Sequence, residues 1–127
     1  MRVFIADDSA VLRERLIEML SEMKKVEVVG QAGDAIEAQE SIIKLKPDLV
    51  ILDIRMPSGS GIDVLQNIKE AGLTPKVIIF TNYPYPQYRK KCKALGVDFF
   101  FDKSSEFEKF TEVLKKLVSK SSNNRKT

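Results

Sequence analysis

Five short apolar runs alternate with five helical patterns along this chain, and that alternation restricts the fold more than any other feature. Each run has the length and composition of a buried strand, and the segment after it has the periodicity of an amphipathic helix. The strands are predicted at about residues 2–6, 26–31, 48–52, 76–80 and 97–101. Consecutive units of this kind favour a parallel sheet, because parallel neighbours need a long crossover connection.

The crossover connections narrow the possible topologies further. Right-handed crossovers place helices on both faces of a parallel sheet. We therefore predict an α/β fold of the flavodoxin-like, doubly wound class, with a five-stranded parallel sheet in the order 2-1-3-4-5 and five helices on both faces. In that order the first and third strands flank the switch point, where ligands of open α/β sheets bind.

The composition fits a single soluble domain. The chain has 127 residues, of which 43% are hydrophobic and 31% are charged, as in ordinary globular proteins. No apolar run approaches the roughly 20 residues that span a bilayer, and no signal peptide precedes the first strand. The single cysteine, Cys92, cannot form an internal disulfide, so we expect a cytoplasmic location.

The net charge is concentrated at the end of the chain. Lys120, Arg125 and Lys126 account for the whole formal charge of +3, so residues 1–118 are neutral. A neutral domain is not expected to bind nucleic acid. We predict one domain over residues 1–118, followed by a polar basic tail, residues 119–127, which is disordered because it has no apolar residues to bury.

Polar side chains follow four of the predicted strands. Asp7 and Asp8 follow the first strand, Asp53 the third, Thr81 the fourth and Lys103 the fifth. Because the carboxyl ends of parallel strands meet at one edge, these side chains are expected to converge. Neighbouring carboxylates repel each other, and Mg²⁺, which prefers oxygen ligands, is the natural counter-charge. Lys103 and Thr81 could then bind an anionic group at the metal, which suggests phosphoryl chemistry.

Five motifs together resemble the receiver domain of two-component response regulators, including the stand-alone chemotaxis receivers. They are Ala6-Asp7-Asp8-Ser9, Leu52-Asp53-Ile54-Arg55-Met56-Pro57, Gly59-Ser60-Gly61, Phe80-Thr81-Asn82 and Phe101-Asp102-Lys103. Each motif is weak alone, but their order and spacing make the set specific. The resemblance covers about residues 1–118.

The resemblance implies a phosphoprotein with a magnesium site. Asp53 would be the phosphoacceptor. Asp8 and Asp53 would bind Mg²⁺, or alternatively Mn²⁺, through their carboxylates, and the main-chain carbonyl of Arg55 would add a third protein ligand. Asp7 would hold the metal mostly through water.

The resemblance also implies a switch. Thr81 and Lys103 would bind the phosphoryl oxygens, and Phe100 aligns with the aromatic residue that turns inward on activation. The phosphoryl group would come from a phosphohistidine on a histidine kinase or phosphotransfer protein and would be lost by hydrolysis. Activation would change the face formed by the fourth helix, fifth strand and fifth helix, which would bind a downstream effector or a second copy of the chain, but neither nucleic acid nor a membrane.

One position departs from the family pattern. Receiver domains usually have a proline in cis after the lysine, whereas Ser104 follows Lys103 here. A cis bond before a residue other than proline costs about 2.5–4 kcal/mol. The sequence therefore leaves two alternatives, a supported cis bond or a trans bond with a different lysine placement.

Other functions remain open from the residues alone. An Mg²⁺-dependent phosphatase with an aspartate nucleophile, of the haloacid dehalogenase type, usually carries an Asp-x-Asp pattern after its first strand, which the adjacent Asp7 and Asp8 fit poorly. A receiver-like module could bind partners without being phosphorylated. Lys103 alone could be a surface lysine that pairs with Asp102. The favoured interpretation is a signalling phosphoacceptor rather than an enzyme, with self-phosphorylation from small donors and autodephosphorylation.

Overall fold

A five-stranded parallel sheet forms the centre of the molecule. The computed structural model describes residues 1–124, with side-chain environments for residues 1–120. The strands are β1 (Arg2–Ala6), β2 (Glu27–Ala32), β3 (Leu49–Leu52), β4 (Arg55–Met56), β5 (Gly59–Ser60), β6 (Lys76–Thr81) and β7 (Phe99–Asp102). The main sheet has the order β2-β1-β3-β6-β7, while β4 and β5 form a separate small antiparallel pair. The five strands of the main sheet therefore follow the predicted 2-1-3-4-5 order.

Five helices cover the sheet on both faces, which confirms the predicted fold class. They are α1 (Ala10–Ser21), α2 (Ala35–Leu45), α3 (Gly61–Glu70), α4 (Pro86–Ala94) and α5 (Phe107–Asn124). Buried residues of α2, α3 and α4 belong to one apolar cluster, and those of α1 and α5 belong to another. The sheet separates the two clusters.

The strands are apolar along most of their length because helices cover both faces of the sheet. All four residues of β3 are buried, because its successive side chains point alternately to the two helical layers. Along β6, Ile79 packs in the α2–α4 layer and Phe80 in the α1–α5 layer. β2 lies at the edge of the sheet, and its Glu27 is exposed.

The last helix packs against the sheet near its start and extends past the predicted domain boundary at its end. Phe110 is fully buried and stacks on Phe80, with 4.2 Å between the ring centroids, whereas Phe107, at the start of the helix, is 45% exposed. At the other end α5 continues to Asn124, so the helix passes the predicted boundary at Val118. Propagating an existing helix adds one main-chain hydrogen bond per residue and needs no buried face. Residues 119–124 of the predicted tail thus belong to the helix, and residues 125–127 lie outside the described residues.

None of the helices in the described part of the chain is long and apolar enough to cross a membrane.

Candidate functional site

Three carboxylates lie together at the carboxyl ends of two neighbouring strands. Asp7 and Asp8 follow β1, Asp53 follows β3, and one oxygen atom from each lies within 4.8 Å of the other two. The main-chain N–H of Asp53 donates to the carbonyl of Ala6 (2.9 Å), so the hydrogen-bond ladder between the two strands continues into the site. The backbone thus places these side chains side by side, as the strand order predicted.

Lys103 bridges two of these carboxylates. Its Nζ atom lies 2.6 Å from Oδ2 of Asp7 and 2.7 Å from Oδ2 of Asp53. Asp7 and Asp53 are each 3% exposed, whereas Asp8 is exposed. The main-chain N–H of Lys103 donates to the carbonyl of Thr81 (2.9 Å), which ties the end of β7 to the end of β6. The ammonium group therefore reaches the site from two strands away.

Burial and the ion pairs shift two pKa values at the site. Burial raises the pKa of the Asp7 carboxyl above its ordinary value, and the nearby Lys103 ammonium opposes that shift. Burial alone would lower the pKa of Lys103, but hydrogen bonds to Asp53 and Asp7 and the charges of both carboxylates raise it overall. Lys103 therefore remains a cation at neutral pH, when it compensates part of the negative charge of the cluster.

Hydrogen bonds also orient the two buried carboxylates. Oδ1 of Asp53 accepts from the N–H of Ile54 (2.7 Å), and Oδ1 of Asp7 accepts from the N–H of Ser9 (2.9 Å). Each side chain thus uses Oδ1 for a main-chain bond and Oδ2 for Lys103. The rotamers of both acids are fixed from two directions.

The start of α3 lies directly against the backbone of Asp53. The N–H of Gly61 donates to the carbonyl of Ile54 (2.6 Å), and a Cβ atom on Gly61 would overlap the carbonyl oxygen of Asp53. A reciprocal capping box holds this helix start: Oγ of Ser60 accepts from the N–H of Asp63, and Oδ2 of Asp63 accepts from the N–H of Ser60 (3.2 Å each). In the sequence Gly61 is only one member of a motif, and no local signal indicates this close approach.

Thr81 and Phe100 lie outside the carboxylate cluster. Thr81 is fully buried, and its hydroxyl accepts from the N–H of Tyr83 (3.1 Å). Phe100 is half-buried against the α2–α4 layer, with the guanidinium carbon of Arg89 4.5 Å from the ring centroid. The structure therefore brings Asp7, Asp8, Asp53 and Lys103 together, links Thr81 to them through the backbone of Lys103, and places Phe100 beside α4.

Arg55 belongs to an aromatic group that includes Tyr83 and Tyr85. Its guanidinium carbon lies 4.1 Å from the ring centroid of Tyr83 and 5.9 Å from that of Tyr85. Arg55 and Tyr85 are exposed, so the group lies at the surface. The role of the Arg55 carbonyl as a metal ligand stays a prediction.

The bond that the sequence left open is trans. The described residues contain no cis peptide bond, so the Lys103–Ser104 bond has the trans isomer of the two alternatives. The lysine still reaches both buried carboxylates with this isomer. A trans bond before a residue other than proline is also the ordinary, lower-energy choice.

The donor set fits a small divalent cation. Carboxylate oxygens are hard ligands, which suit Mg²⁺ and Mn²⁺. Three carboxylates and one ammonium leave net negative charge for a cation to balance. Exposed Asp8 leaves one side of the cluster open to solvent.

Comparison with known proteins finds a described family that matches most of the chain. The sequence matches the family described as "Response regulator receiver domain" over residues 3–115. It is 34% identical over 117 residues to an uncharacterized transcriptional regulatory protein, YvfU, of Bacillus subtilis, covering 92% of this chain and 58% of that protein. Other curated relatives are also longer: the chain covers 23% of a protein-glutamate methylesterase/protein-glutamine glutaminase 1 from Rhizobium johnstonii.

Solved structures agree with this match. The response regulator domain of Thermotoga maritima CheB superposes with a TM-score of 0.82 at 29% identity, covering 97% of this chain and 96% of that one. A DNA-binding response regulator of the LuxR family from Staphylococcus aureus gives a TM-score of 0.82 at 30% identity, covering 92% and 98%.

Proposed function

This chain belongs to the response regulator receiver domain family, whose members are signalling rather than catalytic domains, and on that premise we propose that it is a phosphoacceptor switch. The observation that supports the proposal most is the cluster of Asp7, Asp8 and Asp53 with Lys103 across two of the three carboxylates. A nucleophilic carboxylate, an acidic metal site and a fixed cation are the parts that phosphoryl transfer needs.

In the proposed reaction, Asp53 is the nucleophile. A carboxylate oxygen of Asp53 attacks the phosphorus of a phosphohistidine on a histidine kinase or phosphotransfer protein. The new P–O bond forms as the N–P bond breaks, and the imidazole leaves. Asp53 is held for this by its Oδ1 bond to Ile54. Water later attacks the phosphorus of the acyl phosphate, the P–O bond to Asp53 breaks, and inorganic phosphate leaves as the carboxylate is regenerated.

Other residues of the chain would receive the phosphoryl group. Lys103 already lies 2.7 Å from Asp53 and would exchange part of that ion pair for phosphoryl oxygens. The buried hydroxyl of Thr81, at the end of the adjacent strand, would bind a second oxygen. Asp8, Asp53 and the carbonyl of Arg55, with Asp7 through water, would hold Mg²⁺. When bound, that ion would neutralise charge on the phosphoryl oxygens.

The proposed output is a population shift of the α4–β7–α5 face. Movement of Thr81 toward the phosphoryl group would open space for Phe100, which now lies half-buried under Arg89. The altered face would bind a downstream effector or a second copy of the chain. Arg55 and Tyr83, stacked at 4.1 Å, would flank the water that ends the signal and so influence the lifetime of the acyl phosphate.

Intact mass after incubation with acetyl phosphate and Mg²⁺ tests the proposal. We expect one added phosphoryl group that hydroxylamine removes, as it does from acyl phosphates. Asp53→Asn should abolish the adduct. Glu112→Gln, which changes an exposed carboxylate on α5, serves as the matched control and should leave it unchanged.

Two results would contradict the proposal. Wild-type protein without any adduct and without phosphatase turnover would favour the partner-binding alternative. Sustained turnover of phosphate monoesters would instead favour an aspartate-nucleophile phosphatase.

A further inference from the structure

The turn that follows β7, residues 103–105, is stabilised by the side chain of Asp102, and we call this turn the corner. Oδ1 of Asp102 accepts from the N–H of Ser104 (2.9 Å) and from its hydroxyl (2.7 Å). Oδ2 accepts from the hydroxyl of Ser105 (3.1 Å). One carboxylate therefore fixes the two residues that follow Lys103.

The backbone of Asp102 is anchored as well. Its N–H donates to Oε1 of Glu106 (3.0 Å), and its carbonyl accepts from the N–H of Glu106 (2.9 Å). The next N–H, that of Lys103, donates to the carbonyl of Thr81 (2.9 Å). Asp102 is thus the point at which β7, the corner and the start of α5 meet.

This arrangement excludes the simplest role for Asp102, which is to pair with Lys103. The Lys103 ammonium binds Asp7 and Asp53 instead, while both oxygens of Asp102 are directed to serines. The hydrogen bonds to Ser104 and Ser105 also lower the pKa of the Asp102 carboxyl, so it is an anion at neutral pH and a strong acceptor.

Lys103 needs the hydrogen bonds of Asp102 because no proline ring restrains the backbone after it. The Lys103–Ser104 bond is trans, and no proline ring fixes the backbone of the following residue. A flexible four-carbon side chain must nevertheless deliver its ammonium to two buried carboxylates. A misplacement of about 1 Å can cost as much as a hundredfold in rate, so the direction in which Lys103 leaves the backbone matters.

We propose that Asp102 is a positioning residue for Lys103, and that its three hydrogen bonds to Ser104 and Ser105 set the phosphoryl-binding geometry of the lysine in this trans corner. This inference rests on the proposed phosphoacceptor function. Asp102 itself touches neither the carboxylate cluster nor the incoming group. It acts through the backbone that carries Lys103.

The test compares phosphorylation rates of wild type and three variants with acetyl phosphate and Mg²⁺. Asp102→Ala should slow formation of the adduct by about tenfold to a hundredfold, and Asp102→Asn, which keeps an oxygen acceptor for Ser104, should recover part of that loss. Asp98→Ala is the matched control. Asp98 lies at the opposite end of the sheet and accepts from the N–H of Val77 (2.8 Å), so its loss should leave the rate within about twofold of wild type.

A double-mutant cycle separates positioning from general destabilisation. If Asp102 acts through Lys103, then adding Asp102→Ala to Lys103→Met should slow phosphorylation no further. Mg²⁺ affinity should stay the same in Asp102→Ala, because β1 and β3 rather than this corner position the carboxylates.

Three outcomes would overturn the inference: a wild-type rate in Asp102→Ala, additive losses in the cycle, or an equal loss in Asp98→Ala. If Asp102→Ala does not fold, Ser104→Ala combined with Ser105→Ala removes both hydroxyl donors and should also slow the reaction, and a wild-type rate in that variant would equally refute the inference. Failure of the phosphoacceptor proposal would look different, since wild-type protein would then acquire no adduct at all.

Discussion

The contact between Gly61 and Asp53 leads to a sharp prediction about stability. In Gly61→Ala the new Cβ would overlap the carbonyl oxygen of Asp53, lie 2.9 Å from its carbonyl carbon and lie 3.2 Å from Cα of Ile54. All three atoms belong to the backbone, so no rotamer change can relieve the clash. The first turn of α3 must therefore move away from the end of β3.

The cost follows from the clash and from the hydrogen bond that it disturbs. Overpacking against a rigid neighbour costs about 1–3 kcal/mol, and we expect the upper end because backbone meets backbone. The hydrogen bond from Gly61 to Ile54 (2.6 Å) would break or stretch, which costs about 1 kcal/mol. Alanine offsets up to about 1 kcal/mol through its higher helix propensity. The free energy of unfolding should fall by about 3 kcal/mol, or roughly 10 °C in Tm.

Gly72→Ala provides the matched control. Gly72 has a φ of +84°, and a Cβ atom at this position would have no neighbour within 4 Å, so alanine there meets backbone strain without a clash. That strain costs about 1–2 kcal/mol. Urea denaturation followed by circular dichroism measures both variants. If Gly61→Ala is no less stable than Gly72→Ala, the argument from close approach is wrong.

Three further predictions concern the lysine, the cysteine and the last helix. Lys103→Met should bind Mg²⁺ about tenfold more tightly by calorimetric titration, because one competing cation leaves the carboxylates; equal or weaker binding would contradict the proposed site. Cys92 is 1% exposed and burial raises its pKa to about 11, so iodoacetamide at pH 8 should alkylate it only in denaturant, as judged by intact mass. Because the pKa of the thiol is raised in the folded state, any stability that the thiol contributes should be lost as the pH rises through about 9 toward about 11. Phe110→Ala should cost about 3–5 kcal/mol in urea denaturation, whereas Phe107→Ala, at a position 45% exposed, should cost less than half as much; equal losses would contradict the burial difference.

The fold was predictable because the hydrophobic pattern of each segment agrees with its place in the sheet. A strand buried on both faces must be apolar along its whole length, as β3 is, and strands separated by helices pair in parallel. The predicted strand order also placed β2 at the edge of the sheet, where its Glu27 is exposed. The convergence of Asp7, Asp8 and Asp53 followed from the same reasoning, since it depends only on where adjacent parallel strands end.

Features that depend on which distant atoms meet in the folded chain were not predictable. Nothing in the sequence near Gly61 specifies that its nearest neighbour is the backbone of Asp53, which lies outside its helix. Phe107 lies one helical turn before Phe110 on the same side of α5, yet nearly half of its side chain is exposed. The helix past Val118 was missed because composition indicates the lack of a buried face, whereas a helix can extend without one.

The corner at Lys103 combines both kinds of feature. Its place at the end of β7 follows from strand order, but its isomer and its anchor depend on which acceptor Ser104 finds. Glu106 accepts from the N–H of Asp102 through Oε1, and the same oxygen lies 3.6 Å from the guanidinium of Arg89. Arg89 in turn covers the ring of Phe100.

The residues that hold the lysine are therefore in contact, one after another, with the aromatic residue of the proposed output face. In the proposed switch, a shift of Lys103 toward a phosphoryl group would act on the hydrogen bonds between Asp102 and Glu106, and Glu106 contacts Arg89 of α4 through an ion pair. In this chain, the part of the site that departs from the family pattern is thus also the part that borders the proposed output surface.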